Sequence, residues 1–215
     1  MTTPASAQPA EHAGDLTPDS GSLTRVPAAS AWFVLIAGVV GLVASIALTV
    51  EKIKILLNPA YVPSCNINPI VSCGSVMVTP QASVLGFPNP LLGLVGFTVV
   101  IVTGVLAVGK VQLPQWYWVG LTVGILIGCV LVHWLIFQSL YRIGALCPYC
   151  MVVWVVTVSL LVVVASITFR PALQRSDSGI AWAVYRWRWS IAALWFTAVF
   201  LMIMVRFWDY WSTLL

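Results

Sequence analysis

The chain has 215 residues, of which 60% are hydrophobic and only 7% charged, against about 45–50% and about 25% in an ordinary soluble domain. Such a chain cannot cover itself with polar groups, which excludes a water-soluble globule. The net charge of +4, from ten Lys and Arg against six Asp and Glu, is scattered over flanks and loops with no basic stripe, so nucleic-acid binding is not expected.

Met1 to Ser30 is rich in Pro, Ala, Ser and Thr, has no periodic apolar face, and predicts a disordered tail. It lacks the cationic start and short apolar core of a signal peptide. Five apolar runs follow, at 31–56, 90–108, 116–141, 148–169 and 189–207, each close to the roughly 20 helical residues that cross a hydrocarbon core. All are predicted as helices, because lipid offers backbone groups no partner outside the segment itself. Many of the 11 Trp residues fall at span ends, among them Trp116, Trp118, Trp187, Trp189, Trp208 and Trp211, where amphipathic rings anchor to the interface.

The short link between the fourth and fifth spans carries Arg170, Arg175, Arg186 and Arg188, which places it in the cytoplasm. Threading from there puts Arg25 and Lys110 inside and Lys52, Lys54, Arg142 and Arg206 outside, although the first span by itself is biased the other way. The expected arrangement is a multi-pass protein of the cell (inner or plasma) membrane with a cytoplasmic tail and an extracytoplasmic loop at 57–89.

That loop holds Cys65 and Cys73, and the fourth span opens with Cys147 and Cys150 in the sequence CPYC. Two spans separate the pairs, so all four thiols lie on one side of the membrane in either orientation. Pro148 suits the first helical turn, where its missing N–H costs nothing. Cys147 is then expected at the helix edge and Cys150 one turn in, on the same face. Helix N-termini and Cys-x-x-Cys spacing both stabilise a thiolate. In the loop, Asn68 and Pro69 predict the cap and first position of a short helix. Ile70, Val71, Val76 and Met77 would form its apolar underside, with Cys73 close to the mouth of the bundle. The pairs suggest a mobile shuttle dithiol above a fixed dithiol at the membrane edge. A four-ligand zinc site and purely structural disulfides are the competing readings, and Met151 stands where haem attachment requires His.

The order and spacing of these residues resemble the vitamin K epoxide reductase family, in particular its bacterial disulfide-forming members. The marks are a loop pair ahead of a Cys-x-x-Cys at the head of the fourth helix, a hydroxyl residue six positions after the second loop cysteine (Thr79), and an Asn before a core helix (Asn89 in NPLLG). The resemblance covers about Ala31 to Phe169 and implies an all-α integral membrane protein, a four-helix bundle core plus a fifth transmembrane helix. It further implies a thiol:quinone oxidoreductase. Cys65 would exchange with a partner protein, Cys73 would pass electrons to Cys147, and Cys150 would face a quinone of the menaquinone or ubiquinone type. Asn89 would donate to a quinone carbonyl, Thr79 would lie near the thiols, and Trp154 stands where vitamin K reductases commonly carry Tyr. The chain stops at Leu215 with no fused thioredoxin-like domain, so the expected partner is a separate DsbA-like thioredoxin-fold protein. A DsbB-type enzyme places its Cys-x-x-Cys first, and a non-catalytic, disulfide-stabilised membrane scaffold or transporter would not need the thiols for activity.

Other polar residues receive structural readings. His133 and Cys129, four apart in the third span, predict helix–helix hydrogen bonding and a small core residue, with no metal site. Glu51 beside Lys52 predicts a solvated helix end. Gly93, Gly96, Gly120, Gly124 and Gly128 predict close helix packing.

Overall fold

In the computed structural model of the chain, which describes residues 23–175 and 179–213, five helices are long and apolar enough to cross a membrane. They are α1 (Ala28–Leu57), α3 (Pro90–Val108), α4 (Gln115–Gln138), α5 (Pro148–Arg175) and α6 (Gly179–Arg206). Two short helices, α2 (Cys73–Met77) and α7 (Trp208–Trp211), complete the α set. The protein is therefore an all-α membrane protein.

The last two long helices extend further into the connecting region than apolar content alone predicts. Arg170 to Arg175 remain helical although Pro171 lies inside, and α6 begins at Gly179, not Trp189. Arg and Trp with long stems tolerate a helical interface position, so charge does not end these helices where hydropathy does. The expected tail also differs. Residues up to 22 lie outside the described set, but Leu23–Thr24 form strand β1, paired antiparallel with strand β2 at Leu113–Pro114, and α1 begins at Ala28.

The strand pair closes the end of the bundle away from the cysteines through a polar seam. Thr24 Oγ1 donates to Gln115 Oε1 at 2.7 Å, and Gln115 Nε2 donates to Thr168 O at 2.6 Å. Thr122 and Thr168 share a hydroxyl contact of 2.7 Å. Below the seam, α1 packs on α3 and α5, and α4 packs on α5. Val34, Phe97, Trp118, Leu160 and Val164 fill the shared core.

The glycines divide into two groups. A Cβ on Gly104 would stand 2.6 Å from Leu35 Cα, one on Gly38 would press on Ile101, and one on Gly93 would collide with the Ser45 hydroxyl; these three let α1 and α3 approach closely, as small residues do in membranes. Gly96, Gly120 and Gly124 meet nothing within 4 Å. Close packing, expected for all five sequence-marked glycines, does not apply to those three. They leave room between α3 and α4.

The fifth long helix leans on the bundle at the cysteine end. Trp195 Nε1 donates to His133 Nε2 at 2.9 Å. An indole N–H only donates, so the imidazole proton sits on Nδ1, 2.7 Å from Cys129 O. Arg206 Nε donates to Leu140 O at 3.0 Å, a cation placed on late carbonyls of a helix.

The packing makes a direct prediction for stability. Gly104→Ala forces a methyl against backbone and is expected to destabilise the protein by about 1–3 kcal/mol, whereas Gly96→Ala should leave unfolding unchanged. Denaturant unfolding in detergent micelles separates the two.

Candidate redox site

The site begins with a change of backbone direction. After α4 a single π-helical turn, Ser139–Ile143, ends at Gly144, whose φ of 71° is open to glycine. The chain then runs extended through Leu146 to Pro148 at the head of α5. Ile70 and Ser72 of the loop take hold of this short run: Leu146 N donates to Ile70 O at 2.7 Å, and Ser72 N donates to Leu146 O at 2.9 Å. The residues that follow this staple on the two strands are Cys73 and Cys147.

The loop is shaped for that docking. Asn68 does not cap a helix, as the sequence had suggested. Its Oδ1 accepts from the N–H groups of Ile70 and Val71 at 3.0 and 2.6 Å, a side-chain turn of the kind Asn commonly makes, and Val71 then bridges Leu146. The short helix starts five residues later. Ser72 is its cap, accepting from Ser75 N at 3.2 Å, and Asn66 Oδ1 accepts from Gly74 N at 2.9 Å. The sequence pointed to a short helix in this loop, but Ser72 is its cap because pairing with Leu146 leaves it extended.

The four sulfurs converge. Cys65 and Cys73 form a disulfide, and Cys147 Sγ donates to Cys73 Sγ at 3.2 Å. Cys73 and Cys147 are fully buried, in a cluster with Leu48, Met77 and Cys65. Cys150 lies one turn along α5, half-buried. The Cys150 thiol beside it holds the Cys147 thiol below its ordinary range; burial opposes this, and the N–H groups of Cys150 and Tyr149 in the first turn assist. The neighbouring thiol is thus the main stabiliser of the Cys147 thiolate, and the helix N-terminus reinforces it.

Behind Cys150 is an apolar cavity of about 580 Å³. Cys150, Trp154, Asn89 and Thr79 all line it. Gly96, Gly120 and Gly124 line it too and are exposed, so it opens on the flank of the bundle between α3 and α4. Asn89 is held in one orientation: Val84 N donates to its Oδ1 at 3.0 Å, and its Nδ2 donates to Gln81 O at 2.7 Å. An amide nitrogen has two hydrogens, so one remains to donate. Thr79 is less free, because its hydroxyl donates to Val76 O at 2.7 Å. Trp154 is 4% exposed and packs with Ile70, Leu146 and Phe207.

Two residues escaped the sequence reading. Lys52 lines the cavity and donates to Met77 O at 2.6 Å, and Glu51 is buried, not a solvated helix end. Helical spacing carried the signal: Leu48, Glu51, Lys52 and Ile55 lie within two turns on one side of α1, and that side closes over the loop. Among the described residues no group of three or more His, Cys, Asp or Glu is placed to hold a metal ion.

A search of curated proteins finds no match to this chain. The family model described as Vitamin K epoxide reductase family matches residues 32–165, a stretch that runs from the start of α1 into α5 and contains both cysteine pairs. With sulfurs arranged from loop to membrane cavity and that match over most of the chain, the protein belongs to the vitamin K epoxide reductase family and is a membrane oxidoreductase.

Proposed function

We propose that the protein is a thiol:quinone oxidoreductase that takes two electrons from a reduced thioredoxin-fold partner on the extracytoplasmic side and delivers them to a membrane quinone. The supporting observation is the order of the sulfurs. Cys65 is joined to Cys73, Cys73 touches Cys147, and Cys150 stands at the wall of a cavity that opens on the apolar flank of the bundle.

Each step between sulfurs is a thiol exchange, in which a thiolate attacks a disulfide sulfur and the other sulfur leaves. A partner thiolate attacks Cys65, its second thiol releases the oxidised partner, and the loop pair is left reduced. The Cys73 thiolate then attacks Cys147 of a Cys147–Cys150 disulfide, Cys150 leaves as a thiolate, and Cys65 resolves the mixed bond. The reduced membrane pair passes two electrons to the quinone, which takes up two protons and leaves as quinol. A DsbA-like partner near about −120 mV is itself strongly oxidising, so it needs an acceptor of comparable or higher potential. A quinone meets that need and arrives through the bilayer.

Within the cavity, Asn89 supplies the free amide hydrogen for a quinone carbonyl, and Trp154 supplies an aromatic wall for the ring. Thr79 shapes the rim between loop and cavity. The glycine-lined opening between α3 and α4 gives the isoprenoid tail a route to lipid. The basic positions Arg170, Arg175, Arg186 and Arg188, in the facing ends of α5 and α6, set the orientation, with those ends on the cytoplasmic side.

Two measurements test this reading. In Cys150→Ala kept free of reductant with its loop disulfide formed, the Cys147 thiolate should attack Cys73 and release Cys65, so that a Cys73–Cys147 disulfide is seen by peptide mass mapping, and with reduced partner as donor quinone reduction should fall by at least about a hundredfold; retained activity would overturn the proposal. Filling the opening with Gly124→Leu should raise KM for a long-tailed quinone about tenfold, equivalent to about 1.4 kcal/mol of lost binding, with less effect on a tail-less analogue.

The chemistry of Cys147 gives a third expectation. Removal of Cys150 takes away the main influence that lowers the Cys147 pKa, and burial then dominates. In fully reduced protein, the pH midpoint for Cys147 alkylation should move upward in Cys150→Ala, leaving less thiolate at neutral pH.

A further inference from the structure

One carboxylate beside the loop pair has no role in the electron path. Glu51 sits on the α1 side that closes over Cys65. Leu48, three residues before it, and Ile55, four after it, pack in the cluster that holds Cys65 and Cys73. Only 7% of Glu51 is exposed. Its Oε1 accepts from Ser64 Oγ at 3.1 Å, and Ser64 is the chain neighbour of Cys65. Its Oε2 is buried and has no hydrogen-bond partner among the described residues. Buried carboxylates left half satisfied are costly and concentrate where they are used.

The charged and titratable groups around it are few. On α1, Lys54 Nζ lies 3.7 Å from Oε1, and Lys52 is directed to Met77 O. From the loop come Tyr61, whose hydroxyl lies 3.4 Å from Lys54 Nζ, and the two cysteines. From the α5 side come Cys147, Tyr149 and Cys150 of the same cluster. Reduction of the loop disulfide adds new donors here, and the Cys65 thiol is the one next to Ser64.

We infer that Glu51 is the proton acceptor for Cys65, with Ser64 holding the carboxylate against the Cys65 segment. The inference rests on the reading of the loop pair as electron donor to Cys147. When Cys73 has attacked Cys147 and expelled the Cys150 thiolate, Cys65 is a thiol and a poor nucleophile. It gives its proton to Glu51 Oε2 and attacks Cys73 Sγ; the Cys65–Cys73 bond forms, the Cys73–Cys147 bond breaks, and Cys147 leaves as a thiolate. Two electrons have then moved from the loop pair to the membrane pair. The proton on Glu51 passes to water at the exposed side of Lys54, and the quinone takes up two protons when it is reduced.

The test follows re-formation of the Cys65–Cys73 disulfide by rapid-quench alkylation after quinone is mixed with fully reduced protein, from about pH 5.5 to about pH 8.5. In Glu51→Gln the amide oxygen still accepts from Ser64 but cannot take a proton. The rate should fall at least about tenfold at neutral pH and recover at the alkaline end, where Cys65 ionises unaided. Ser64→Ala breaks the clamp and keeps the carboxylate; a loss of less than about threefold with the wild-type pH profile is expected. Glu51→Gln matching wild type at every pH, or both variants slowing equally with unchanged pH dependence, overturns the inference and leaves the proposed function standing. A wild-type protein that never re-forms the loop disulfide on quinone addition overturns the function, and this inference with it.

Discussion

Two backbone hydrogen bonds between Leu146 and the loop residues Ile70 and Ser72 set the rest of the site. They fix the register of two otherwise separate chain segments, and the next residue on each is the cysteine that must meet the other. A slip of one residue would turn one sulfur to the opposite side, because extended backbone alternates its side chains. The surrounding polar groups serve this register. Asn68 folds the loop before the staple, while Asn66 and Ser72 hold the first turn of α2 after it. Gly144 lets the other segment turn toward it.

The same arrangement reconciles two conflicting demands. Thiol exchange needs sulfurs close together and shielded from competing reactions, while electron delivery to a lipid-soluble acceptor needs a sulfur at an apolar cavity. Burying Cys73 and Cys147 at their contact meets the first demand. Cys150, one turn deeper on α5, meets the second, since residues three apart share a helix face. Under the proposed function, the dithiol stands at the edge of a membrane helix because only there could one end of it meet a protein and the other a lipid-borne ring.

The helix outside the family core takes part in shaping this end. Trp195 and Arg206 of α6 bind to α4 and to the turn after it, and Phe207, Tyr210 and Trp211 pack on the group that contains Trp154 and Met151. The wall of the cavity thus has support on both sides: the loop staple through Leu146, and the fifth long helix through its aromatic end. His133 contributes as a helix–helix hydrogen-bonding residue, in keeping with its isolated position in the sequence.

Composition alone determined that the chain is helical and membrane-embedded, since so few charges cannot solvate so many apolar residues. The spacing of the cysteines determined that two pairs lie on one side of the membrane, because crossing number is a property of order along the chain. Local sequence also marked the head of α5 through Pro148. Tertiary structure decided what depends on which faces meet. It chose Ser72 over Asn68 as the helix cap, because pairing with Leu146 extends the chain there, and it gave Gly96, Gly120 and Gly124 an open cavity where the same residue type at Gly104 makes a tight helix contact. Glu51 shows the difference most plainly. Beside a lysine at a helix end it resembles a solvated residue, and although it shares a helix side with Leu48 and Ile55, only the loop folded over α1 makes it buried, because burial belongs to the partner surface and not to the residue.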